Sequence, residues 1–279
     1  MQDYASCAAQ QFSTPEAFPV NHFAHQTAAE RYTKDRPYFH PLVMERIRTF
    51  LKLDGPVPVA IDVGCGTGMS TIALTEIAIS VIGADISPAM LSQAPAHPRI
   101  RYVETAAESL PFDDHSADLM TVFIAFHWLD RTRFLAEARR ILRPTGTLVV
   151  CHHAFLGQMK ENPDFRHWCD DIYYPRYPNP PRNKEPLEDA DAHHHGFTLA
   201  GKERYTYDNV YTPEEFIRQQ NTHSNVIAKV EEGTEKLEEI YDWSLETVRP
   251  FFLAPTATFP FGGEIWYLQP LASERGAPQ

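Results

Sequence analysis

The 279-residue chain is short of cysteine, of positive charge and of long apolar runs. Its four cysteines, Cys7, Cys65, Cys151 and Cys169, lie far apart and form no C-x-x-C pair. That spacing argues against a disulfide scaffold or a cysteine-built zinc site and fits a reducing compartment, so a cytoplasmic location is expected. Lys and Arg total 25 against 37 Asp and Glu, a net charge of −12. A chain this acidic is a poor match for a phosphate backbone, which argues against nucleic acid as a partner. The longest apolar stretches are strand-sized, well short of the roughly 20 residues that span a bilayer, so no membrane association is expected. MQDYASCAAQQFSTPEAFPV, at the N-terminus, has no basic segment followed by an apolar one and is not read as a secretory signal.

What the chain does have is enough apolar residues, 43%, to bury one large α/β core with a modest insertion. Residues 1–22 are polar and patternless and read as a flexible arm, leaving 23–279 as the folded domain. Leu42, Val43, Ile47, Phe50 and Leu51 recur at helical spacing, while Pro37 and Pro41 break the pattern early. That predicts a short helix, a turn and a longer helix from about Pro41. Beyond a Gly-Pro-Val-Pro linker the chain alternates. VAIDVG, SVIGAD, IRYVE, ADLMTVFIA and GTLVVCH read as strands, separated by helix-sized segments over 68–78, from Ser87-Pro88 onward, and over 131–142, the last ended by Pro144 and Gly146. Strands separated in this way imply crossovers, hence a mostly parallel sheet with helices on both faces.

The segment 153–200 is rich in Pro, Tyr and His and reads as a lid or insertion after the fifth strand. A strand over 202–210, a helix from Thr212-Pro213, an acidic helix over 231–248 and a strand near 258–268 complete the domain. The acidic run is a solvated helix face. Most of the aromatics here (Tyr173, Tyr174, Tyr177, Phe197, Tyr205, Phe251, Phe252, Trp266) are expected in the core, with some lining an apolar pocket. The triplet His193-His194-His195 reads as a solvated loop, and no metal is assigned.

Gly64, Gly66 and Gly68 form G-x-G-x-G between the first strand and its helix, with Asp62 in the strand before them. Glycines there let backbone approach a ligand at a helix start. Asp85 ends the second strand, where a carboxylate can accept both ribose hydroxyls of a nucleoside. The competing role of helix cap suits Ser87 better, so the ribose role is preferred.

The stretches IDVGCGTGMSTIAL, VIGADISPAML, YVETAAESLPFDDHSADLMTVFIAFHWLD and EARRILRPTGTLVV resemble the class I S-adenosylmethionine-dependent methyltransferases. The likeness is to the small-molecule branch that includes trans-aconitate and ubiquinone-type enzymes. It is dense over 57–151 and thinner in AAERYTKDRPYFHP and QNTHSNV. It implies a Rossmann-like, seven-stranded sheet ending in an antiparallel hairpin, with an N-terminal helical cap and S-adenosyl-L-methionine as cofactor. By this analogy Asp62, Gly64, Cys65 and Gly66 line the methionyl end and Asp85 holds the ribose. Ile86 and Met90 pack on the adenine, and Ala107 and Glu108 meet its polar edge. Ile124 and Ala125 pass beneath, and Tyr32 and Arg36 close over the carboxylate. Ala106 stands where a common variant has Asp.

Methyl transfer needs a positioned nucleophile, and a base only when the accepting atom must lose a proton. His127 follows the fourth strand and is either that base or orienter, or a packed residue beside a core Trp128. His152 and His153 end the fifth strand, where alternation predicts that at most one faces the pocket. The expected activity is methylation of a small organic acceptor, such as a natural-product or terpenoid intermediate. A cyclisation in the same pocket, or cofactor binding without turnover, remain as alternatives. The acceptor atom and the oligomeric state are not legible.

Overall fold

The computed structural model describes residues 25–183 and 185–272, and the arm expected over 1–22 lies outside them. Its first helix, α1 (Gln26–Asp35), ends as Arg36 turns to extended backbone. Pro37 explains the stop, since the residue before a proline resists helical geometry. In α2 (His40–Leu51) Pro41 sits in the first turn, where its missing N–H leaves nothing unsatisfied. The buried stripe His40, Val43, Met44 and Ile47 follows the helical repeat.

The alternating region forms β1 (Val57–Val63), α3 (Met69–Leu74), β2 (Ala78–Asp85), α4 (Pro88–Leu91), β3 (Ile100–Glu104), β4 (Ala117–Phe123), α5 (Arg131–Ile141) and β5 (Leu142–Cys151). These strands lie in the order β3-β2-β1-β4-β5, all parallel. The order reverses between β1 and β4, which opens a crevice beyond their carboxyl ends.

The rest comprises β6 (Ala154–Phe155), α6 (Phe165–His167), a π-helical turn (Trp168–Tyr173), α7 (Tyr174–Arg176), α8 (Asp189–His194), β7 (Phe197–Tyr211), α9 (Pro213–Gln220), α10 (Ser224–Glu231), α11 (Leu237–Val248) and β8 (Ala257–Pro270). β8 runs antiparallel to β5 and β6 on one side and to β7 on the other. The sheet therefore has eight strands, one more than expected, because the two-residue β6 prolongs the edge that β5 begins.

Two further expectations are corrected. Pro144 and Gly146 lie inside β5, in the irregular stretch where its register with β4 shifts between Ala117 and Leu119. A proline is tolerated where the ladder is already broken. The helix expected over 231–248 starts later, as α11 at Leu237, because α10 ends at Glu231 and the chain turns at Gly233 with φ of 69°. Segment 153–200 is an insertion after β5, as expected, and it is packed. Its Phe165, Trp168, Tyr173 and Tyr177 are buried with Phe216, Ile240 and Phe259 in an apolar cluster of their own. Two other clusters cover the faces of the sheet, one under α5 and one under α2 and α3.

Candidate functional site

β1 carries the chain into the glycine loop. Gly64 and Gly66 adopt φ of 67° and 53°, a region that L side chains rarely enter. A Cβ on Gly64 would stand 2.6 Å from Ala125 Cβ, and one on Gly66 3.1 Å from Met90 Cε. The bare backbone is thus demanded by conformation and by close neighbours as well as by any ligand.

Asp62 lies behind this loop, fully buried and off the cavity wall where it was expected. Its Oδ2 accepts from Ser70 Oγ at 2.6 Å and Thr71 Oγ1 at 2.7 Å, and its Oδ1 from Thr121 Oγ1 at 2.8 Å. Burial pushes its pKa up to about 6, against the downward pull of the three hydroxyls. It ties β1, the start of α3 and β4 together under the loop.

Asp85 accepts the Gly66 N–H on Oδ2 at 2.7 Å and the Ser87 N–H on Oδ1 at 2.8 Å. Ser87 is the cap of α4, its Oγ accepting from the Met90 N–H at 3.2 Å. Burial raises the Asp85 pKa and the N–H donors oppose it. Each carboxylate oxygen has further acceptor capacity.

A cavity of about 550 Å³ opens at the carboxyl end of the sheet. Gly64, Cys65 and Gly66 form one wall, beside Asp85, Ile86 and Met90. Ile86 is 59% exposed, an uncovered apolar side chain. Ala107 and Glu108 continue the wall, and Glu108 Oε1 accepts the Asp130 N–H at 3.0 Å. Ile124 and Ala125 close it below. Ile124 has φ of 57°, a conformation that strains a β-branched residue by about 1–3 kcal/mol. The turn it makes leaves β4 and brings Ala125 against Gly64. Tyr32 and Arg36 reach the cavity from α1, with the guanidinium 4.7 Å above the Tyr32 ring and its Nε buried without a partner.

The far half of the cavity holds the histidines. His127 lies in the 3-10 turn Phe126–Trp128, and its carbonyl accepts the Asn183 N–H at 3.2 Å. Both His127 and Trp128 line the cavity, so the alternative of a core Trp128 does not hold. His152 and His153 also both line it, against the expectation of one at most. Their rings do diverge, His152 packing on Trp266 at 4.3 Å and His153 stacking on Phe39 at 3.9 Å. The cavity reaches around the strand end and meets each. Burial lowers the His152 pKa to about 4 and that of His153 well below its ordinary value, so both rings are neutral near neutral pH.

His40, Arg131, Arg182 and His223 line the cavity too, and none was singled out from the sequence. They come from α2, from α5, from the loop after α7 and from the start of α10. His40 and His223 lie within the AAERYTKDRPYFHP and QNTHSNV stretches already noted, and these were the available signals.

Residues 61–150 match the family model of the methyltransferase domain. An uncharacterized methyltransferase of Mycobacterium tuberculosis is 33% identical over 123 residues, 44% of this chain and 49% of the relative. The demethylmenaquinone methyltransferase of Tropheryma whipplei is 38% identical over 96 residues, 33% of this chain and 40% of the relative. The chain thus spans half the length, or less, of these curated relatives. An Anaeromyxobacter dehalogenans protein described as a type II methyltransferase superposes with a TM-score of 0.62 at 22% identity, covering 84% of this chain and 96% of that one. That likeness speaks for the fold. Matched segment, strand order and glycine loop together make residues 61–150 similar to a methyltransferase domain.

Proposed function

We propose that the chain transfers a methyl group from S-adenosylmethionine to a small organic acceptor. One observation carries this reading: a single cavity joins the glycine loop and Asp85 to a chamber of imidazole, guanidinium and aromatic groups. The residues fit the cofactor. The loop is a cradle that a Cβ on Gly66 would crowd, Ile86 offers an uncovered apolar face, and Arg36 keeps a buried, unpartnered Nε.

In this reading Asp85 holds the ribose hydroxyls, Ile86 and Met90 flank the adenine, and Ala107 and Glu108 meet its polar edge. Gly64, Cys65 and Gly66 face the methionyl end, Ile124 and Ala125 lie beneath it, and Tyr32 and Arg36 close on its carboxylate. Asp62 acts from behind, holding the loop in place. When bound, the cofactor supplies an electrophilic methyl group on a sulfonium, which an in-line nucleophile displaces. The chain contributes by excluding water and by holding the nucleophile in line. Where the accepting atom must lose a proton, half-buried His127 takes it. His152 and His153, kept neutral by burial, are poorer bases and serve as hydrogen-bonding walls.

Phe39, Phe123, Phe155 and Tyr174 on the cavity wall favour an acceptor with an apolar or aromatic body, as in a natural-product or terpenoid intermediate. Cys65, Cys151 and Cys169 are buried free thiols, and no described helix is long and apolar enough to cross a membrane. Both suit the proposed cytoplasmic site of action. The test is calorimetric titration with S-adenosylhomocysteine, then incubation of the protein with methyl-labelled cofactor and cell extract. Labelled small molecules seen by mass spectrometry support the reading, and absence of S-adenosylhomocysteine binding rejects it.

A further inference from the structure

The cavity is electrostatically lopsided. Arg36, Arg131 and Arg182 stand on its wall, whereas its two carboxylates, Asp85 and Glu108, both belong to the glycine-loop side. The ion pairs formed among the described residues include none of these three arginines.

The three differ in what balances them. Arg131 feels the charges of Glu185 and Asp191. Arg36 is matched, in the reading above, by the cofactor carboxylate. Arg182 faces Arg36, a like charge, and the neutral phenol of Tyr174. Its contacts are weak: Asn179 Oδ1 at 3.4 Å and the Trp128 ring centroid at 5.9 Å. A partly desolvated guanidinium without an anion is costly, and an arriving anion relieves that cost.

The surroundings supply donors and no competing charge. His223 and Ser224, both on the wall, begin α10, an eight-residue helix with no acidic residue in its first turn and no side-chain cap. The first N–H groups of a helix lack intrahelical partners and sit at the positive end of its dipole. Independently, His40 is 5% exposed, lies on the same wall and has an unpartnered Nδ1. Burial holds His40, His153 and His223 neutral, so the local balance is a single uncompensated positive charge.

We infer that the acceptor is a monoanion, a carboxylate on an apolar or aromatic body, with its charged group between Arg182, His40 and the start of α10. A planar carboxylate suits one guanidinium fork, while a phosphate dianion would leave a buried negative charge over. Phe39, Phe155 and Tyr174 would take the body. The inference rests on the methyltransferase reading.

The experiment titrates benzoate, and benzamide as its neutral counterpart, into protein saturated with S-adenosylhomocysteine. Benzoate should bind at least about tenfold more tightly, which is about 1.4 kcal/mol. Arg182→Gln should erase that preference and leave S-adenosylhomocysteine affinity within about twofold. Arg182→Met repeats the test if the Gln variant does not fold. The inference is overturned by equal affinities, by no benzoate binding at about 50 mM, or by tighter binding of phenyl phosphate. It is also overturned if losing Arg182 weakens S-adenosylhomocysteine instead, which would make Arg182 a cofactor ligand. Wild-type protein that fails to bind S-adenosylhomocysteine sinks the earlier reading as well. Binding of it without a benzoate preference sinks this inference alone.

Discussion

Asp85 illustrates how one carboxylate serves both scaffold and ligand. It accepts the N–H groups of Gly66 and Ser87, so it shapes the loop before any ribose arrives. Asp85→Ala should therefore weaken S-adenosylhomocysteine binding by about 10- to 100-fold, given charge-assisted bonds of about 1.5–3 kcal/mol. It should also lower the unfolding temperature, because two donors lose their acceptor. Calorimetric titration beside a melting curve separates the two effects, and unchanged affinity in a folded variant would remove Asp85 from the binding site. His127 is a different case: its backbone carbonyl accepts from Asn183 and the residue lines the cavity. His127→Asn should reduce turnover by about 100-fold, the usual scale for a lost general base, with cofactor affinity little changed. The acid limb of its pH–rate profile should also move. Normal turnover with an unaltered profile would leave His127 as a scaffold residue.

Among the elements, α1 is the one poised to move. Only Ala28 and Ala29 of its ten residues are buried. Its polar ties to the body include Thr27 and Arg31 to Glu231, Asp35 to Arg218 and Gln26 to Ser92. Since Tyr32 and Arg36 ride on its C-terminal end, hydrogen exchange over residues 25–40 should slow when S-adenosylhomocysteine is added. Equal protection in both states would make it a static cap.

Element by element, the sequence was most readable where a signal is local. β1, the glycine loop and Asp85 are contiguous patterns, and the Ser87-Pro88 start of α4 has its own chemistry, so all of them stand close to where they were expected. Pro144 misled because a proline reads as a stop unless the register break beside it is known. The far half of the cavity was opaque for another reason. His40, Arg131, Arg182 and His223 come from four separate elements, and their meeting depends on the fold of 153–200, whose aromatic packing has no periodic signature.

For the molecule as a whole, buried imidazoles set the acid limit. Burial lowers His40 to about 3 and, against the upward pull of Glu264, His152 to about 4 from an ordinary 6.5, and it lowers His153 and His223 as well. A base with a depressed folded pKa leaves stability intact above its unfolded value. That stability is lost as pH falls below about 6.5, because the unfolded chain takes up the protons. Asp62 works the other way: raised to about 6 from 3.8, it returns some stability as pH falls between those values. Asp85 is raised as well, and four imidazoles against two carboxylates give a net decline. The melting temperature should fall steadily from pH 7 to about 5, and a His40→Asn, His152→Asn double variant should flatten the slope. A wild-type melting temperature constant over that range would contradict the assignment.

β8 adds a consequence for the order of synthesis. Ile265 and Tyr267 complete the cluster on one face of the sheet and Trp266 and Leu268 the cluster on the other, while the strand seals the open edge of β5. Until residues 257–270 have left the ribosome, a nascent chain holds a parallel sheet with a bare edge and two unfinished cores. Such an edge is a template for aggregation. Ribosome-stalled chains ending at 256 should be protease-sensitive and chaperone-bound, and chains released past 270 should become resistant within one cooperative step.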